Sequence, residues 1–267
     1  MASLTARRYG DAGPTVVLLH GGPGAPGHMA PVGRGLSGRF RVVEPFQRTC
    51  GDEPLTVARH VDDLRALIGE LPDAAPPALL GSSWGAMLAL AYAAEHPRAA
   101  GPLVLVGCGT FDIAARAEMR RRLDERLDDD ARRMLSSLGE AGELDDDTLA
   151  ELAHTVLPAY SYDAEPQPDE VVRYDARGHR ETWADMLRLQ EEGTYPAAFT
   201  AIASPVLMLH GADDPHPGEL VRASLAPHLR QLEYREWSRC GHYPWTERHV
   251  AGEFFELVSA WLLNRAR

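Results

Sequence analysis

The chain has 267 residues, 45% apolar and 25% charged, which suits a soluble globular protein with room for a sizeable core. Its formal net charge of −12 argues against nucleic acid and anionic membrane surfaces as partners. All 27 basic residues are arginine, so a lysine nucleophile or Schiff base is excluded.

Residues 4–9 read as a short edge strand closed by a glycine-proline turn at 10–14. Residues 15–19 are a continuous apolar run, as in a parallel strand buried on both faces. This run leads straight into His20-Gly21-Gly22-Pro23-Gly24, a loop whose glycines let the backbone approach a ligand. A strand at 40–43 precedes Pro45-Phe46-Gln47-Arg48-Thr49-Cys50-Gly51-Asp52. Val57, Val61, Leu64, Ile68 and Leu71 recur at helical spacing, and Pro72 ends that helix. A strand at 78–80 turns through Gly81-Ser82-Ser83-Trp84-Gly85 into a helix at 86–95, and 103–106 is another buried strand.

Residues 110–203 break this alternation. They hold helices at 116–138, 146–157 and 181–192, a proline-rich loop at 164–169, and no buried strand. The acidic runs 128–130 and 145–147 read as solvated helix faces and caps. The sheet resumes at 205–209, ending in His210-Gly211-Ala212-Asp213-Asp214. A helix at 219–228 and a strand at 232–237 lead to Gly241-His242-Tyr243-Pro244, followed by an amphipathic helix at 248–263. The pattern predicts an α/β fold: residues 1–109 and 204–267 build a mostly parallel sheet flanked by helices, and 110–203 form a helical lid.

Cys50, Cys108 and Cys240 show neither CxxC nor zinc spacing, which suits a reducing compartment and small apolar roles. Residues 1–13 lack the apolar core of a signal peptide, and no stretch has the length of a bilayer span. The expectation is a cytoplasmic protein. No metal or organic cofactor is implied.

The chemistry concentrates at Ser83, the centre of a Gly-x-Ser-x-Gly turn between strand and helix. Such a turn strains the apex residue and pushes its side chain out over the sheet edge. An aliphatic hydroxyl is a poor nucleophile and needs an adjacent base. Of 11 histidines, His242 fits best, because it follows the last strand beside Gly241. His216, wedged between Pro215 and Pro217, is a weaker choice, and His20 and His210 read as braces for loop backbone. Asp214 is the expected acid fixing the imidazole tautomer, with Asp213 pointing away.

With His20-Gly21-Gly22-Pro23-Gly24, the elbow at Ser83, the loop to Asp214 and Gly241-His242 in this order, the chain resembles an α/β-hydrolase over essentially its whole length. The first motif and Pro244-Trp245-Thr246-Glu247 look most like the proline iminopeptidase branch. There Gln47 and Arg48 match but the glycine pattern after them is altered, which leaves peptidase specificity open. The resemblance implies an oxyanion hole from the backbone N–H groups of Gly22 and Trp84. It also makes Asp112 a third candidate acid. Trp183, Met186 and Tyr195 are candidate substrate-pocket residues, with packing of the lid as their alternative role. The implied function is a serine hydrolase cleaving a small-molecule ester or amide through an acyl-enzyme. Alternatives are an aminopeptidase removing N-terminal proline, with Glu165, Glu191 or Glu192 meeting the substrate amine, and a slow-turnover ligand sensor.

Overall fold

A computed structural model describes residues 4–140, 145–168 and 170–265. Asp169, in the expected proline-rich loop, lies outside the described residues. Seven strands form one sheet: β1 (Ala6–Tyr9), β2 (Thr15–Leu19), β3 (Arg41–Pro45), β4 (Ala78–Ser82), β5 (Leu103–Val106), β6 (Val206–Gly211) and β7 (Leu232–Trp237). Their spatial order is β1-β3-β2-β4-β5-β6-β7, with β1 antiparallel to β3 and every other pairing parallel. All side chains of β2, β4 and β5 are buried, because helices cover both faces.

The pleat sorts these side chains between two cores. Val17 and Leu19 enter the core beneath α2 (Val57–Gly69) and α3 (Trp84–Glu95), whereas Val16 and Leu18 face α1 (Ala30–Leu36) and α9 (Ala251–Leu263). Helix α3 is buried at every position from Trp84 to Ala93, so its sequence is apolar all round rather than amphipathic. Helix α8 (Gly218–Leu225) joins β6 to β7.

Between β5 and β6 the chain is helical: α4 (Ile113–Arg126), α5 (Asp129–Glu140), α6 (Asp146–Val156), a 3₁₀ turn at Leu157–Tyr160, α7 (Ala176–Glu191) and a second 3₁₀ turn at Ala197–Ala201. The single helix expected at 116–138 is two. Leu127 is extended and buried against Ala131 and Ala159, and Asp128 accepts from the Ala131 N–H at 2.8 Å, starting a new helix. The acidic runs do serve as caps: Asp145 accepts from the Thr148 N–H at 2.8 Å. No helix among the described residues is long and apolar enough to cross a membrane.

Candidate active site

Ser83 sits between the end of β4 and the start of α3 with φ 54° and ψ −118°. A non-glycine residue held there costs about 1–3 kcal/mol, so its surroundings must impose it. The Ser83 N–H donates to the Val106 carbonyl at 2.8 Å, and the Ser83 carbonyl accepts the first helical N–H, from Ala86, at 3.1 Å. Gly85 is obligatory, because a Cβ there would drive into the Leu19 carbonyl on β2. The motif spacing thus records a helix pressed against two strands. Ser83 is partly exposed, and its hydroxyl makes no hydrogen bond among the described residues. Such links often tighten only when substrate is bound.

At the same carboxyl edge, His242 Nδ1 donates to Asp214 Oδ2 at 2.7 Å, both side chains being essentially fully buried. The sheet brings them together: Asp214 follows β6, His242 follows β7, and Gly107 after β5 seats the imidazole. A Cβ on Gly107, whose φ is +54°, would lie 2.7 Å from His242 Nδ1 and Cε1. Gly107→Ala is therefore expected to displace the ring and cut turnover at least tenfold, roughly what a misplaced reacting group costs. Its check is a kcat measurement alongside a denaturant titration, in which the unfolding free energy should fall by about 1–2 kcal/mol from left-handed strain.

His216 occupies the other side of the carboxylate. Its backbone N–H donates to Asp214 Oδ1 at 2.8 Å, its Nδ1 lies 3.3 Å from the same oxygen, and its ring stacks on His242 at 4.7 Å. These three residues have metal-ligand chemistry. The 2.7 Å nitrogen–oxygen separation is that of a shared proton, whereas two donors on a tetrahedral zinc stand about 3.3 Å apart. Burial alone would raise the Asp214 carboxyl, but His242 and His216 beside it hold its pKa well below the usual range.

The loop carrying His242 is held from the helical segment. Buried Glu247 accepts N–H bonds from Gly241 (2.9 Å), Tyr162 (2.9 Å) and Asp163 (2.7 Å), and the His242 N–H donates to the Tyr160 carbonyl at 2.7 Å. Glu247→Gln replaces one acceptor oxygen by a donor facing these N–H groups. A loss of about 1–3 kcal/mol in stability is expected for a buried group left unpaired, with a fall in turnover, measured by denaturant titration and initial rates.

His20 and Gln47 brace the glycine loop. His20 Nδ1 donates to the Gly21 carbonyl at 2.8 Å and Nε2 accepts the Gln47 N–H at 3.2 Å. The Gln47 amide in turn donates to the His20 carbonyl at 3.0 Å and accepts from Trp84 Nε1 at 2.8 Å. Gln47 thus ties the loop of Gly22 to the residue after the elbow. No hydrogen bond among the described residues uses the backbone N–H of Gly22 or Trp84. The Trp84 indole itself is packing, buried edge-on against His60 and Trp183.

The remaining sequence candidates fall into place or move. Asp213 points away and pairs with Arg126 of α4 at 3.4 Å, and Asp112 caps α4 by accepting from Ala115 at 2.8 Å. His210 is fully buried near the end of β6. Its two ring nitrogens are buried without a hydrogen-bond partner among the described residues, and its Nδ1 lies 3.7 Å from Asp214 Oδ2. Met186 is fully buried in the core, Tyr195 stacks on Phe199 at 4.9 Å, and Trp183 packs against Trp84. Cys108 and Cys240 are buried free thiols, and Cys50 is half-buried. A cavity of about 700 Å³ opens at the opposite edge of the sheet, lined by Thr15 and Ala78 at strand starts and by Asp73 in the loop before β4.

Buried imidazoles make the fold acid-sensitive. Burial pushes His20 down to about 3 and His28, His60 and His210 down to about 4. An unfolded histidine takes up its proton near 6.5, so below that pH protons favour the unfolded chain. Each of these groups removes up to about 1.4 kcal/mol per pH unit as pH falls from 6.5 through its folded value. Glu44, raised by burial to about 7, works the other way, losing stability as pH rises from its ordinary value toward 7. Melting temperature is expected to drop steeply from pH 6.5 to 4, and a flat profile would contradict this account.

The geometry can be set beside known proteins. A model of the alpha/beta hydrolase family matches residues 16–253. The chain is 29% identical to a 2-hydroxymuconate semialdehyde hydrolase of Pseudomonas sp. strain CF600 over 69% of this chain, and spans 61% of that relative's length. It is 36% identical to the proline iminopeptidase of Neisseria gonorrhoeae over 107 residues, 36% of this chain and 33% of that one. The structure of a thermophilic esterase from Thermogutta terrifontis superposes with a TM-score of 0.65 at 20% identity, covering 98% of this chain and 93% of that one. With a seven-stranded sheet of the matching fold and a family model spanning most of its length, the chain belongs to the alpha/beta hydrolase family.

Proposed function

We propose that this protein is a serine hydrolase that cleaves a small ester or amide through an acyl-enzyme, with Ser83 as nucleophile, His242 as base and Asp214 as orienting acid. The observation that carries this reading is the convergence, at one sheet edge, of a strained serine and a buried Asp214–His242 pair 2.7 Å apart. In the reaction, Ser83 Oγ bonds to the acyl carbon while its proton passes to His242 Nε2. The oxyanion is met by the free N–H groups of Trp84 and Gly22, and the dipole of α3 adds to them. The carbon–leaving-group bond then breaks as His242 returns the proton to the leaving group. A water repeats the sequence to release the acid. The helices between β5 and β6 serve as a lid, and the bonds of Glu247 with Tyr162 and Asp163 and of the His242 N–H with the Tyr160 carbonyl join that segment to the base loop.

An ester or simple amide is favoured over an N-terminal proline peptide. Of the carboxylates expected to meet a substrate amine, Glu191 is exposed, and Glu165 is paired with Arg248 at 3.0 Å and Glu192 with Arg188 at 2.6 Å on the surface. Short-chain nitrophenyl esters assayed beside a proline anilide test this. Ester cleavage without anilide cleavage is the expected result, and the reverse would move the protein to the peptidase branch.

A further inference from the structure

We infer that His216 is a positioning residue for the triad, one that holds the Asp214 oxygen His242 does not use and so sets the aim of the carboxylate and its hold on the base. The inference rests on the proposed roles of Ser83, His242 and Asp214. Two contacts from one residue converge on Oδ1, the backbone N–H at 2.8 Å and Nδ1 at 3.3 Å. Oδ2 is left to His242 at 2.7 Å. Pro217 restricts the backbone of this residue, and its side chain is buried against the carboxylate. The ring also lies nearly parallel to that of His242, 24° apart at 4.7 Å.

This arrangement has an electrostatic consequence. A neutral His216 donates an N–H to a carboxylate that must also stabilise the His242 imidazolium formed during attack, so the negative charge is shared. A protonated His216 would stand against that imidazolium directly. One buried carboxylate cannot support two stacked cations. The other groups facing this pair do not compete near neutral pH. Burial keeps His210 on β6 and His28 after β2 neutral, at about 4, and raises the hydroxyls of Tyr160 and Tyr243. The Arg122 guanidinium from α4 donates to the Asp214 backbone carbonyl at 3.3 Å and is paired with Glu118 at 2.8 Å. His216 is therefore placed to tune the base through the carboxylate they share.

The test reads serine reactivity without knowledge of the substrate. A fluorophosphonate forms a bond from Ser83 Oγ to phosphorus, expels fluoride and needs the serine proton removed, so its labelling rate follows the base. Rates across pH 5–9 are compared for wild type, His216→Leu, which fills the space without a donor, and His216→Asn, whose amide can replace Nδ1. In the leucine variant the acid limb is expected to move up by about half a pH unit, roughly a threefold loss of rate at fixed pH on that limb. The asparagine variant should return it to wild type. A leucine profile that overlays wild type, or an asparagine profile shifted as far as leucine, overturns the inference. If the leucine variant does not fold, His216→Gln replaces it: its amide sits one bond too far, and a profile equal to that of asparagine overturns the inference. Labelling that survives in Ser83→Ala overturns the Ser83 reading and this inference together, and is recognisable because residue 216 is untouched.

Discussion

Ser83→Ala is expected to fold as wild type and to lose turnover by a factor on the order of 10⁶, the scale of losing an activated nucleophile. The fold should survive because the Ser83 hydroxyl makes no hydrogen bond among the described residues and alanine meets the same backbone strain. Ser83→Gly separates the two effects. Glycine populates φ near 54° freely, so this variant should be as inactive as alanine yet more stable by about 1–2 kcal/mol. Comparing melting temperatures and single-turnover rates of the two variants checks both halves. Activity within tenfold of wild type in either would remove Ser83 from the chemistry.

Asp214→Asn should cost about 10⁴-fold in kcat/KM with little change in KM. The reason lies in the neighbours of the carboxylate. The His216 N–H, 2.8 Å from Oδ1, draws the amide oxygen to itself, which leaves the amide NH₂ facing His242 Nδ1. That nitrogen must then accept, and the imidazole proton moves to Nε2, where a base needs a free lone pair. Nitrogen NMR of the imidazole would report the switch of tautomer directly. The same substitution alters acid stability. In wild type the depressed carboxyl contributes stability that is present above its ordinary value near 3.9 and lost as pH falls further, and the amide variant lacks this dependence. Retention of a tenth of the wild-type rate would exclude Asp214 as the orienting acid.

Much of the framework could be read from local pattern. The apolar runs that became β2, β4, β5 and β6 were visible because a strand buried on both faces has no polar position to hide it. The elbow was visible for a related reason: Gly81 and Gly85 answer to backbone contacts a few residues away. Helix α1 was not visible. Its Pro31, Gly33 and Gly35 argue against a helix, yet those glycines are where the rings of Tyr9 and Phe255 lie against it. The break at Leu127 was hidden as well, since burial against Ala159 decides it.

By itself, the sequence determined the alternation of strands and helices, the strained turn at Ser83 and the family, because each depends on periodicity or on contacts close along the chain. Only the tertiary structure decided what surrounds the acid. His216 on its second oxygen, His210 buried 3.7 Å from its first, and Glu247 gathering three N–H groups from two segments are meetings of residues that no spacing encodes. They arise where loops from β5, β6 and β7 and the intervening helices close on one sheet edge. There burial forces every charge to find its partners in space, whatever their distance in sequence.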